Sequence, residues 1–102
     1  MYPRVRYRYK SRTLLRLDED PTFRSDYDRS IVKAFRMRMQ TIRSAPNETV
    51  FYSLKSIHYE KLKGQRSHQK SMRLNGQFRL IIEIEKEPLG NVIVVVGIED
   101  YH

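Results

Sequence analysis

The dipeptide Asn75-Gly76 is the strongest constraint that this sequence places on its own fold. Asn-Gly favours the tight turn of a β-hairpin, because both residues tolerate backbone angles that most other residues avoid. The segment before the turn predicts a strand that includes residues 71–74. After the turn, residues 78–85 alternate between two faces in the manner of a half-buried strand. We therefore expect an antiparallel hairpin at this point in the chain.

Two further segments have strand character. Residues 88–90 predict a second turn, and the apolar run over residues 92–98 is typical of a buried strand. The carboxyl-terminal part of the chain is thus predicted to be an antiparallel meander of three strands. Near the amino terminus, basic residues alternate with valine and tyrosine over residues 4–10. This segment could join the sheet as another strand or remain a disordered basic arm.

Helices are predicted ahead of the meander. An amphipathic helix over about residues 26–45 ends before Pro46, and Ser25 and Asp28 have the spacing of a capping box at its start. Its apolar stripe consists of residues at helical spacing, namely Tyr27, Ile31, Phe35, Met39 and Ile42. Arg38 falls inside this stripe, so we expect it to snorkel, pair with an acid or face a partner protein.

Two shorter segments complete the expected elements. Residues 13–19 predict a short helix that Pro21 stops, and residues 50–57 predict either a short helix or an irregular packed segment. With 102 residues, the chain suits one domain over residues 1–102. The expected fold class is α+β, with a small curved antiparallel β-sheet and the amino-terminal helices packed on one face.

Charge and composition restrict the partners. The net charge of +8 attracts polyanions, of which nucleic acid is the commonest in the cytoplasm, with an anionic membrane surface as the competing partner. Cysteine is absent, so neither a disulfide nor a thiol nucleophile is available. No secretory signal and no apolar run of membrane-spanning length is visible. We expect a cytoplasmic protein.

Basic residues are concentrated in residues 55–79, where Glu60 is the only acid. Basic side chains neutralise phosphates, and Tyr52 and Tyr59 could stack on unpaired bases. The alternative is a solvated polar loop. If the segment binds RNA, the expected contacts come from Lys61, Lys63, Arg66 and Lys70.

The chain ends in Asp100-Tyr101-His102, directly after the last predicted strand. A meander can bring this strand beside the one that carries Arg79, so a phosphodiester would meet both a cation and an imidazole. The three histidines are widely separated and lack the spacing of metal ligands. We therefore expect phosphodiester chemistry with neither a metal site nor a cofactor.

Four segments of the sequence resemble the HigB family, which are toxins within the wider RelE/ParE superfamily. They are Glu60-Lys61-Leu62-Lys63-Gly64, Ser71-Met72-Arg73-Leu74-Asn75, Gln77-Phe78-Arg79-Leu80-Ile81 and the terminal Asp100-Tyr101-His102. The resemblance implies a RelE-like fold and the toxin of a type II toxin–antitoxin system. It implies a ribosome-dependent endoribonuclease that cleaves mRNA in the ribosomal A site and so inhibits translation. It also implies a HigA-like helix-turn-helix antitoxin, which could assemble with the toxin into a hetero-oligomer on operator DNA.

The resemblance also implies a set of catalytic residues, which are Arg73, Arg79, Asp100, Tyr101 and His102. The two arginines would stabilise the scissile phosphate. His102 would carry a proton, Asp100 would orient it or act as the base, and Tyr101 would stack on a nucleotide or donate a hydrogen bond.

Lys63 and His58 lie outside this catalytic set. Lys63 matches a basic site residue of the family and would hold the RNA backbone. Some family members have a histidine where Glu60 stands here, and His58 lies two residues earlier, so its role is open.

Two other functions are compatible with the same residues. One is a ParE-like inhibitor of DNA gyrase on the same scaffold, which would need no proton carrier. The other is a non-catalytic basic module that binds RNA or the ribosome.

Overall fold

The computed structural model describes residues 5–100 of the chain. It contains five strands in one sheet and helices packed on one of its faces, which confirms the predicted α+β class. In chain order the elements are β1 (Arg6–Tyr9), α1 (Arg12–Glu19), α2 (Arg29–Ser44), α3 (Thr49–Ser53), β2 (Glu60–Lys61), β3 (Gln69–Arg73), β4 (Phe78–Glu85) and β5 (Val92–Asp100). Single 3₁₀ turns occupy Lys55–Ile57 and Gly64–Arg66. Within residues 5–100, no helix has the length and apolar character needed to cross a membrane.

The strand order in the sheet is β1-β5-β4-β3-β2. Strands β2 to β5 pair in antiparallel fashion, so the predicted meander is confirmed. The basic amino-terminal segment also joins the sheet, but β1 runs parallel to β5, with Arg6 opposite Val92. The sheet is therefore mixed rather than wholly antiparallel. The parallel pairing is possible because the intervening helices and strands return the chain to the same edge of the sheet.

Strand β5 contains a β-bulge at Val96, which no residue of β4 opposes. A bulge shifts the alternation of the side chains that follow it by one position. Ile98 therefore packs toward the core on the helix-covered face, and Asp100, which lies opposite Phe78, is on that face as well. An unbroken strand would place Asp100 on the opposite face of the sheet.

The core lies between the sheet and helices α1 and α2. Four of the five residues of the predicted stripe, Ile31, Phe35, Met39 and Ile42, are buried. Tyr27 precedes α2 and is only partly buried. The stripe is apolar at every third or fourth position, so the buried side chains lie along one side of α2.

The predicted capping box at the start of α2 is wrong. Asp28 is the residue before the helix, but its side chain makes no capping hydrogen bond. Ser25 has a φ of 53° and belongs to the loop. By contrast, α1 has a capping side chain, since the Ser11 hydroxyl accepts a hydrogen bond from the Leu14 backbone N–H.

The Asn-Gly hairpin forms, but with a different turn from the one expected. Strand β3 ends at Arg73 and β4 begins at Phe78, which leaves a loop over residues 74–77. Neither Asn75 nor Gly76 has a positive φ, as the two-residue turn would require. Instead, the Asn75 side-chain oxygen accepts hydrogen bonds from the backbone N–H groups of Gln77 and Phe78, at 2.8 Å each. The asparagine thus closes the turn through its side chain.

A polar cluster ties α3 to strand β3. The Glu48 carboxylate accepts a hydrogen bond from the Tyr59 hydroxyl at 2.5 Å and forms an ion pair with Lys70. The Lys70 ammonium also lies 5.5 Å from the ring centroids of Tyr52 and Tyr59. The cluster fixes the segment that precedes β2.

The stability of the protein at alkaline pH should depend on Tyr59 of this cluster. Burial, and then the hydrogen bond to Glu48, raises the pKa of Tyr59 above its ordinary value of 10.0. Above that pH the unfolded chain releases the phenol proton while the folded protein retains it, so the free energy of unfolding falls as pH rises. One such group contributes at most about 1.4 kcal/mol per pH unit. We expect a shallower decline for Tyr59→Phe in denaturant titrations at several alkaline pH values. Equal slopes for the two proteins would contradict this prediction.

Candidate functional site

A cleft of about 230 Å³ opens beside the turn that joins β3 and β4, and it is lined by His58, Arg73, Asn75, Gly76 and Arg79. Arg73 and Arg79 are directly opposite each other in the two strands, so their side chains share one face. The preceding and following residues, Met72 and Leu80, belong to the core. By alternation, both arginines therefore face away from the helices.

The Arg79 guanidinium is held between two acceptors. Its Nη1 lies 3.0 Å from the Glu60 carboxylate and 3.1 Å from the hydroxyl of Ser71, which is completely buried. The Arg79 side chain is 16% exposed, whereas the Glu60 side chain is 57% exposed. A cation fixed in this way can stabilise negative charge in the cleft without first reorganising.

Arg73 is exposed and bends toward the turn. Its Nε donates to the Asn75 carbonyl at 3.2 Å. Two arginines directly opposite each other on one sheet face repel, and a bound anion would relieve that repulsion. The pair therefore suits a phosphate better than a neutral ligand.

His58 reaches the cleft through an unusual backbone conformation. It has a φ of 46°, in the left-handed region that non-glycine residues rarely adopt, and it directly follows the 3₁₀ turn. Its neighbours Ile57 and Tyr59 are buried, whereas His58 itself is exposed. The two buried neighbours hold the strained residue in place, an arrangement that is common at functional sites.

The strain at His58 leads to a stability prediction. The left-handed conformation costs a residue with a side chain about 1–2 kcal/mol, a cost that glycine avoids. We expect His58→Gly to exceed His58→Ala in free energy of unfolding by about 1 kcal/mol, although both variants lack the imidazole. Denaturant unfolding of the two variants measures the difference. Equal stabilities would show that the backbone at this position is unstrained.

The four predicted RNA-binding cations have different surroundings. Lys61 and Lys63 are exposed at the edge of the sheet beside Glu60. Arg66 forms a two-pronged ion pair with Glu99, at 2.9 and 2.6 Å. Lys70 points to the helix side and is held by Glu48. Arg66 and Lys70 would therefore have to exchange a carboxylate for a phosphate.

The predicted carboxyl-terminal residues are only partly described. The Asp100 carboxylate accepts a hydrogen bond from the Gln77 side chain at 3.0 Å and lies on the helix-covered face, opposite to that of Arg73 and Arg79. Tyr101 and His102 lie outside the described residues. The cleft thus brings together Arg73 and Arg79 from the predicted set and adds His58, while Glu60 contacts the site through Arg79.

Sequence reasoning assigned no role to Glu60 and left that of His58 open. A signal for the first was present, since Glu60 is the single acid in the basic segment 55–79. The second could not be read from the sequence, because it depends on the left-handed backbone at His58. Within residues 5–100, no three His, Asp or Glu side chains are placed to bind a metal ion together.

The fold of the chain is similar to that of a solved toxin. A YoeB/ParE toxin from Agrobacterium tumefaciens matches with a TM-score of 0.55 over 96% of this chain and 100% of that protein. The chain has a YoeB/ParE-type fold. The sequence identity is 10%, so the similarity concerns the fold alone. No family model and no curated protein matches the sequence.

Proposed function

We propose that the protein is a HigB-like toxin of a type II toxin–antitoxin system, an endoribonuclease that cleaves mRNA in the ribosomal A site. The observation that carries this proposal is the pair of Arg73 and Arg79 lining a cleft together with the His58 imidazole, with the Glu60 carboxylate bound to Arg79. The YoeB/ParE-type fold and the HigB-like sequence segments support it independently.

The proposed reaction is attack by the ribose 2′-hydroxyl on the neighbouring phosphorus. A base removes the hydroxyl proton as the bond from O2′ to phosphorus forms, and an acid protonates the 5′-oxygen as its bond to phosphorus breaks. Negative charge builds on the phosphate oxygens in the transition state. Arg79 and Arg73 would stabilise that charge, as oriented donors do in other enzymes.

Three groups are candidates for the proton transfers. Glu60 lies 3.0 Å from the Arg79 guanidinium and would remove the 2′-hydroxyl proton. His58 lines the cleft, and His102 would be the proton donor to the 5′-oxygen. Asp100 and Tyr101 remain part of the proposed catalytic set, with Asp100 orienting His102 and Tyr101 contacting a nucleotide.

The RNA backbone would follow the basic edge of the sheet. Lys61 and Lys63 are exposed there and would contact phosphates first. Arg66 and Lys70 would contribute less, because each already has a carboxylate partner. The proposed protein partner is a HigA-like antitoxin, and the proposed compartment is the cytoplasm.

Primer extension on mRNA in a translating extract tests the proposed function. Cleavage within codons that is lost in Arg79→Ala and in His102→Ala would support it. His68→Ala is a suitable control, because His68 is an exposed histidine outside the cleft. Growth arrest with intact mRNA and blocked DNA supercoiling would support the gyrase inhibitor instead. Arrest that persists in both variants with intact mRNA would favour a binding module.

A further inference from the structure

Arg38 is a half-buried cation of helix α2. It lies on α2, inside the apolar stripe, and its Nε donates to the backbone carbonyl of Arg73 at 3.0 Å. Within residues 5–100, no carboxylate lies within ion-pair distance of its guanidinium, and neither of its Nη groups has a hydrogen-bond partner. Burial lowers the pKa of Arg38, because desolvation disfavours its charged form.

The other partly buried arginines of α2 are satisfied within the protein. Arg36 donates to the backbone carbonyls of Leu17, Asp20 and Phe23. Arg43 forms an ion pair with Asp18 at 2.5 Å. Arg38 therefore differs from both, since part of its hydrogen-bonding capacity is unused in the folded chain.

The pairing of the strands places Arg38 beside the cleft. Glu60 pairs with Ser71, so continuing this register by two residues would bring His58 opposite Arg73. The chain turns away at His58 instead, and the Arg38 side chain reaches the Arg73 carbonyl on that edge. Arg38 thus contacts the backbone of the cleft residue Arg73 from the helix side of the sheet edge, while the Arg73 side chain lines the cleft on the other face.

We propose that Arg38 forms a second phosphate subsite, which binds an RNA phosphate next to the one held by Arg73 and Arg79. The proposal rests on the proposed function and extends its substrate contact from the sheet onto α2. A guanidinium with two available Nη groups matches the geometry of phosphate oxygens. The bound phosphate would supply a negative charge that no carboxylate among the described residues provides to Arg38.

The salt dependence of RNA binding tests the subsite directly. Fluorescence anisotropy with a labelled single-stranded RNA oligonucleotide gives the binding constant at several salt concentrations. Each lost phosphate contact lowers the slope of log K against log salt by about 0.7 for a single strand. We expect that decrease for Arg38→Gln. Lys33→Gln is the matched control, because Lys33 is an exposed cation of α2 that lines a separate hollow with Pro21 and Arg36.

Several results would overturn the subsite. Equal slope changes in Arg38→Gln and Lys33→Gln would show that the effect comes from the lower net charge and not from a contact at Arg38. If Arg38→Gln had a lower melting temperature and bound RNA more weakly, but with an unchanged salt slope, the role of Arg38 would be purely structural. The subsite would also be rejected if the unaltered protein failed to bind RNA at low salt. It would likewise be rejected if Arg38→Gln bound RNA normally but no longer bound an acidic protein partner. Cleavage is measured separately, so RNA binding without cleavage would reject the proposed function alone.

Discussion

Arg79→Ala is expected to reduce mRNA cleavage about 10²–10³-fold, the usual effect of removing one donor to transition-state charge. The guanidinium is fixed by Glu60 and Ser71 before RNA binds, so no other side chain can take its place without rearrangement. Primer extension and single-turnover cleavage on programmed ribosomes measure the loss. Arg79→Lys should recover part of the activity, because lysine keeps the charge but not the two-pronged geometry.

Arg8→Ala is the matched control for this prediction. Like Arg79, Arg8 forms an ion pair with a glutamate, in this case Glu85 of β4. Arg8 itself lies on β1, away from the cleft. Its removal takes away the same charge and should leave cleavage within about twofold of the unaltered protein, because exposed pairs contribute little. Cleavage by Arg79→Ala at the level of Arg8→Ala would refute the assigned role, provided that both variants are folded.

The largest loss of stability is expected for Asp18→Ala. The Asp18 side chain is 5% exposed and accepts hydrogen bonds from the Tyr9 hydroxyl and from Arg43. It therefore joins β1, α1 and α2. Its removal leaves a partly buried hydroxyl and a partly buried guanidinium without their acceptor, and loss of one partner of a buried pair typically costs about 3–5 kcal/mol. Arg43 is one-third exposed and can regain water, so we expect about 3 kcal/mol, near the lower end of that range.

Denaturant unfolding measures this loss, with Glu87→Ala as the control. Glu87 pairs with Arg6 at 3.5 Å, and both side chains are about 40% exposed. Removing such a pair should change the free energy of unfolding by less than about 1 kcal/mol. Similar losses in the two variants would indicate that the Asp18 cluster does not hold the three elements together.

Elements with a strong local pattern could be predicted from the sequence. Helix α2 follows from the spacing of its apolar residues, and the hairpin follows from Asn75-Gly76 together with the alternation over 78–85. The parallel pairing of β1 with β5 could not be foreseen. It joins segments more than 80 residues apart, and no local pattern fixes the direction of such a pair.

The candidate site was only partly predictable for a related reason. Arg73 and Arg79 face each other because they flank one hairpin, so sequence position suffices to bring them together. The face on which Asp100 lies depends on the bulge at Val96, which is hidden in a run where both faces are apolar. Gly97 beside it was the one local sign, since glycine within a strand often marks a bulge.

The place of β5 in the sheet has a consequence for biosynthesis. This strand is the last of the sheet in chain order, yet it is inserted between β1 and β4. A nascent polypeptide that stops before residue 92 would leave β1 without a neighbour and the apolar side of α2 partly uncovered. Such fragments would expose apolar surface and be substrates for proteolysis, so the native sheet can form only after the final strand has been synthesised.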